Sequence, residues 1–285
     1  MTEAGPGQGR AMPVRAGGRA ELLPRVASAL VMAAAALGLA WLGGPAFDAF
    51  WFLAAVAVLW EWHGLVGTPR RAPLTLLGGA ALLVATALAT RGDPARALVA
   101  LLLGAAVTAL LARGTRRVLG AAGPLYAGVL ALAVPLLRHS AVDGAAVVFW
   151  LFAVVWGTDT LAFFGGRSIG GPKLAPRLSP SKTWSGFAVG VGSGALLGLL
   201  VAPRPTAVLP VLLAGLVGGA LAQAGDLFES SLKRRCGAKD AGSLIPGHGG
   251  VMDRLDGFIA ASVLAAIVGL WRFGPDGVGA GLLQW

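Results

Sequence analysis

Long apolar runs, separated by short polar breaks carrying Gly, Pro and Arg, make up most of the chain. A helix crossing the roughly 30 Å hydrocarbon core needs about 20 mainly apolar residues. That template predicts nine spans, at about 24–43, 47–66, 73–90, 95–112, 119–137, 144–165, 185–202, 206–227 and 254–273. Membrane β-strands are excluded, because runs such as Ala95–Ala112 lack the two-residue alternation of a lipid-facing barrel. Pro124, Pro135 and Pro210 fall inside or near spans, where neighbouring helices can satisfy the freed carbonyls. Gly186, Gly190, Gly194 and Gly198 recur every fourth residue and predict a close helix–helix seam. The expected fold class is therefore an all-α, polytopic membrane bundle.

Composition supports the pattern: 56% of the 285 residues are hydrophobic and 13% charged. Soluble domains carry about 25% charged residues, so an ordinary water-soluble enzyme, a disordered chain and a fibrous one are excluded. The single cysteine, Cys236, excludes an intramolecular disulfide and a cysteine-based zinc cluster. The net charge of +10 is the unusual feature, since lipid disfavours charge. With the N-terminus placed in the cytoplasm, 18 of the 23 Lys and Arg fall inside, and Arg91, Arg96, Arg138, Arg204 and Arg272 fall outside. This positive-inside asymmetry supports nine spans with the C-terminus outside.

The organisation expected along the chain is a disordered basic tail over about 1–22, amino-terminal spans over 23–143, and a catalytic membrane region over 144–285. The last region carries cytoplasmic loops at about 166–184 and 228–253. The tryptophans read chiefly as interfacial belts, and Glu61 and His63 either join the site or belong to such a belt.

Carboxylates carry more information than cations. Asp159, Asp226, Asp253 and Asp256 all fall at the inner ends of predicted spans, and Asp240 lies in the loop before the last span. Intramembrane charge costs several kcal/mol unless it is paired or hydrated, which makes these residues functional candidates. Asp253 and Asp256, like Asp226 and Glu229, are three apart and share a helix face. Two readings account for them: hard oxygen ligands for Mg²⁺, or ion pairs with Arg254, Lys239 and Arg234.

Two inner loops hold the remaining chemistry. Ser179, Lys182 and Thr183 stand just before a span, where hydroxyls, an ammonium and free N–H groups suit a phosphate. The same Ser-Pro-Ser run also reads as a helix cap. The second loop packs Lys233, Arg234, Lys239, a glycine-flanked His248, Asp253, Arg254 and Asp256 into 27 residues. His248 is a candidate proton donor or simply a hydrogen-bonding member of the loop.

The run Ser230–Asp256 resembles the signature of the phosphatidate cytidylyltransferases, or CDP-diacylglycerol synthases: S-x-x-K-R-x4-K-D followed by P-x-H-G-G-x-x-D-R-x-D. The resemblance extends to Gly225–Ser230, to the S-P-x-K-T-x-x-G stretch from Ser179, and to Asp159 with Ala162 and Phe163. Family members usually carry Lys and Glu where this chain has Ser181 and Ser185.

The resemblance implies the reaction CTP + phosphatidic acid → CDP-diacylglycerol + pyrophosphate, in phospholipid synthesis, with Mg²⁺ and room for a second metal ion. It implies metal ligation by Asp226, Asp253 and Asp256, with Asp226, Lys239 and Asp253 as catalytic residues. Substrate contacts fall to Ser179, Lys182, Thr183, Lys233, Arg234, His248 and Arg254. The expected partners are CTP, phosphatidic acid of the inner leaflet and membrane lipid, not nucleic acid. The small-residue helix faces would permit a homodimer. The expected location is the inner cell membrane, with the site facing the cytoplasm. Two other classes share parts of this pattern: a lipid kinase acting at the inner face, and a transporter with buried carboxylates.

Overall fold

The computed structural model describes residues 19–112, 116–203, 207–245 and 249–285, with side chains from residue 29 onward. The helices are α1 (Arg19–Leu42), α2 (Gly44–Leu65), α3 (Arg71–Ala89), α4 (Pro94–Leu111) and α5 (Arg117–Arg138). After them come α6 (Gly144–Ile169), α7 (Trp184–Val201), α8 (Val208–Arg235), α9 (Met252–Phe273) and the short α10 (Val278–Leu283). Between α6 and α7 lies an antiparallel hairpin of β1 (Lys173–Ala175) and β2 (Ser179–Thr183), with Lys173 opposite Thr183 and Ala175 opposite Ser179.

Among the described residues, eight helices, α2 to α9, are long and apolar enough to cross a membrane, and the described part of α1, Ala29–Leu42, is a shorter apolar helix. The chain is an all-α polytopic membrane protein. Its outward faces carry large apolar side chains, such as Leu200 at 80% and Trp271 at 82% exposure. Water would make such a surface an aggregation hazard, whereas lipid solvates it. Residues 1–18 of the expected tail, Arg113 and Arg204 lie outside the described residues.

Local chemistry sets several helix starts. Pro94 opens α4 behind Asp93, whose carboxylate accepts the Arg96 N–H at 3.1 Å. Thr183 caps α7 by accepting the Gly186 N–H at 3.1 Å. The glycine stripe of α7 then lies against α6. A Cβ at Gly190 would sit 2.6 Å from the Thr158 carbonyl oxygen, so the backbones approach in a way no larger residue allows.

The core is centred where α2, α6 and α9 meet. Trp51 stacks on Phe258 with centroids 4.9 Å apart, and Phe152 lies 5.2 Å from Phe258. Trp51, Trp62 and Trp150 are fully or almost fully buried, which corrects the belt reading for these three. Their large rings fill the gaps that Ala and Gly leave between helices. Trp62 also donates its indole N–H to the Leu119 carbonyl at 2.7 Å.

Contacts sort the connections into two ends. At one, Arg138 donates to the Ala40 carbonyl at 2.7 Å, His139 meets Asp48 at 2.9 Å, and the Ala141 N–H bonds the Asp276 carbonyl. The other end gathers the carboxyl-terminal ends of α2, α6 and α8 with the amino-terminal ends of α7 and α9, and holds the acidic residues singled out above.

Candidate active site

Helix α6 runs four residues past its expected end to Ile169, where Gly170, with φ of 69°, turns the chain into the hairpin. The turn is held by Ser185, whose hydroxyl donates to the Gly170 carbonyl and lies 3.0 Å from the Thr183 hydroxyl. Ser185, at the position where the family usually has a carboxylate, therefore secures the hairpin to α7. The hairpin in turn delivers Lys182.

The Lys182 ammonium, largely buried, sits 2.6 Å from Asp226 Oδ2 on α8 and donates to Gln223 Oε1 at 2.8 Å. The other end of the Gln223 amide donates to Asp159 Oδ1 on α6 at 2.9 Å. One neutral side chain thus bridges the hairpin lysine and the α6 carboxylate. These residues line a cavity of about 600 Å³ shared with Arg167, Lys173 and the apolar Phe163 and Phe187. The cavity offers cations on the hairpin side and aromatic rings beside them. An anion with an apolar tail matches that combination.

Helix α8 continues eight residues beyond its expected end, to Arg235. The polar run after Asp226 keeps helical spacing, so Asp226, Glu229, Ser230 and Lys233 fall on one face. Ser230 donates to Asp226 at 3.3 Å. The Lys233 ammonium lies 3.3 Å from Glu229 and 2.5 Å from Asp253 in the first turn of α9.

Asp253 also accepts the backbone N–H groups of Ala241, at 3.0 Å, and Gly250, at 2.9 Å. It therefore joins α8, the loop and α9. One turn further on, Asp256 accepts the Gly257 N–H at 2.7 Å.

Of the residues expected in the site, Lys182, Asp226, Lys233, Asp253 and Asp256 come together. Thr183 is buried as the α7 cap, and Ser179 is half-buried at the start of β2. Arg234, Lys239 and Arg254 are exposed around the cluster, with Arg234 donating to the Ala238 carbonyl at 3.4 Å. Asp226 pairs with Lys182, and Asp253 pairs with Lys233. His248 lies outside the described residues. Gln223 was missed in the sequence, although its three-residue spacing from Asp226 places both on one helical face.

Whether these groups suit a divalent ion rests on the acids. Among the described residues, no three His, Cys, Asp or Glu side chains close a complete metal site. The donor set nevertheless fits Mg²⁺, which characteristically takes one or two carboxylates and completes its shell with water and substrate phosphates. The Glu229 and Asp256 carboxyls interact electrostatically, and among the described residues Glu229 Oε1 is buried with no hydrogen-bond partner. Two unit charges at 4 Å repel by about 4 kcal/mol at an effective dielectric of 20, so such a contact calls for a proton or a cation.

Comparison with known proteins identifies the family. A family model described as the cytidylyltransferase family matches residues 23–271. The phosphatidate cytidylyltransferase of Brucella abortus (strain 2308) is 41% identical over 261 residues, covering 90% of this chain and 96% of the relative. That of Haemophilus influenzae is 39% identical over 147 residues, or 48% of this chain and 50% of the relative. The Bacillus subtilis protein of the same name is 43% identical over 119 residues, covering 41% of this chain and 44% of the relative.

Proposed function

The chain belongs to the cytidylyltransferase family, and from that premise we propose that it is a phosphatidate cytidylyltransferase, converting CTP and phosphatidate to CDP-diacylglycerol and pyrophosphate. The observation that carries the reading is the 41% identity that runs through almost the whole length of a relative bearing that name. The cluster of Asp159, Gln223 and Asp226 around Lys182 supports it, because it places acid and ammonium groups beside a cavity suited to an anionic lipid.

The chemistry needs little from a general base. Phosphatidate already presents an anionic oxygen at neutral pH, and that oxygen attacks the α-phosphorus of CTP. A new P–O bond forms, the bond to the bridging oxygen of the β-phosphate breaks, and the electron pair leaves with pyrophosphate. The barrier comes chiefly from bringing two polyanions together, so positioning and charge stabilisation supply the catalysis.

Mg²⁺, held by Asp226 and Asp256 with Asp253 beside them, would neutralise charge on the triphosphate and on the departing pyrophosphate. Lys182 binds phosphate oxygens, exchanging its contact with Asp226 for the substrate. Arg167 and Lys173 attract the lipid phosphate into the cavity, while Phe163 and Phe187 meet the start of its acyl chains. Lys239, Arg234 and Arg254 surround the triphosphate, and His248 hydrogen-bonds a phosphate. Ser179 and Thr183 belong to the hairpin that presents Lys182. Lys233 holds Asp253.

In the same reading the chain crosses the inner membrane nine times and turns the cation-rich end to the cytoplasm. CTP then arrives from solution and phosphatidate from the inner leaflet. Purified protein in phosphatidate-containing vesicles, given CTP and Mg²⁺, is expected to release pyrophosphate only when phosphatidate is present. Pyrophosphate release independent of phosphatidate, or none at all, contradicts the reading.

A further inference from the structure

Glu61, on α2, is separated by 191 residues from the amide that it holds. Its side chain is completely buried, and Oε2 accepts the Met252 N–H at 2.8 Å, at the first residue of α9. The next residue is Asp253, and Asp256 follows one turn later. The same carboxylate is enclosed by two glycines of the signature loop. A Cβ at Gly242 would overlap it. A Cβ at Gly250 would lie 2.6 Å from Glu61 Oε2 and 2.9 Å from Asp253 Oδ2.

Gly250 thus sits between the Glu61 and Asp253 carboxylates and donates its N–H to the latter at 2.9 Å. The other Glu61 oxygen, Oε1, is buried with no hydrogen-bond partner among the described residues, and the carboxylate interacts electrostatically with Arg71. A buried acid at a helix start, clasped by glycines, is costly unless it holds something in place. Here it holds the turn that carries two of the three candidate metal ligands.

We infer that Glu61 is a positioning residue: the amino-terminal bundle uses it to set the first turn of α9 at the site. The inference rests on the cytidylyltransferase reading. A helix start released from its acceptor shifts Asp253 and Asp256 together, and misplacement by about 1 Å costs on the order of 100-fold in rate. The effect belongs in kcat rather than in the affinity for CTP, because Glu61 touches neither substrate.

Three variants in vesicles test this. Glu61→Ala is expected to lose on the order of 100-fold in kcat, with KM for CTP little changed. Glu61→Gln keeps an oxygen acceptor for the Met252 N–H and is expected to retain most of the activity. Glu61→Asp, shorter by one methylene, is expected to resemble Glu61→Ala and serves in its place if the alanine variant does not fold.

Hydrogen exchange without substrate supplies a second readout. Amides of residues 250–256 are expected to exchange faster in Glu61→Ala or Glu61→Asp and normally in Glu61→Gln. A Glu61→Gln variant as inactive as Glu61→Ala, or unaltered exchange beside an active wild type, overturns the inference. Failure of the function reading looks different: the wild type makes no CDP-diacylglycerol while the exchange difference persists.

Discussion

Lys233 on α8 and Asp253 on α9 meet at 2.5 Å with both side chains mostly buried, at 13% and 12% exposure. The pair closes a chain of contacts that begins at Glu229 and ends at the Ala241 and Gly250 amides. It draws the two ends of the signature run against each other, so that the loop between them is anchored at both sides of the acidic cluster.

Breaking that pair from one side leaves a buried charge behind. Asp253→Asn is expected to destabilise the protein by about 3 kcal/mol, the usual scale for removing one partner of a buried pair. Thermal unfolding in detergent measures it. The double variant Lys233→Met, Asp253→Asn is expected to fall short of the sum of the two single effects. Additive losses would show that the two side chains act independently.

Gln223 is nearly buried and bridges Lys182 to Asp159. Gln223→Leu fills similar space but leaves both charged groups without their neutral partner. Hydrogen bonds to charged groups contribute about 1.5–3 kcal/mol, so kcat/KM is expected to fall by roughly tenfold or more. Steady-state kinetics on phosphatidate vesicles measure the loss, and wild-type kinetics would remove the bridge from the account.

Gly250→Ala places a methyl group where Glu61 and Asp253 converge. Overpacking costs about 1–3 kcal/mol, and the displaced group here is the start of α9. Reduced thermal stability together with reduced turnover is expected. A fully active, fully stable alanine variant would mean that the loop accommodates the methyl without moving either carboxylate.

Chelation is expected to stop turnover and added Mg²⁺ to restore it, as ions held by one or two carboxylates and substrate phosphates exchange readily. Turnover that continues in excess chelator would assign the charge stabilisation to Lys and Arg alone.

The membrane bundle was legible because lipid imposes a length and an apolar composition on each crossing, so spans such as 144–165 nearly coincide with α6. Part of the candidate site was legible too: Asp226, Asp253 and Asp256 carry charge where charge is expensive, and Lys182 stands beside hydroxyls just before a span. Less visible was the extension of α8 to Arg235: hydropathy falls after Leu227, yet backbone hydrogen bonding continues through polar residues. The small hairpin was missed, since eight residues of strand carry little periodic signal. Gln223 and Glu61 were obscured for another reason. Their roles depend on partners 41, 64 and 191 residues away, and only the packed helices bring those partners within reach.

The central claim concerns where the cytidylyl group goes. The most direct measurement uses CTP labelled in the cytidine and, separately, in the γ-phosphate, with vesicles that contain phosphatidate. The account predicts cytidine label in the extracted lipid and γ-label in soluble pyrophosphate, in equal amounts. Transfer of the γ-label to lipid with release of CDP would identify a kinase, and label in neither lipid product would leave the protein without the transferase activity proposed for it.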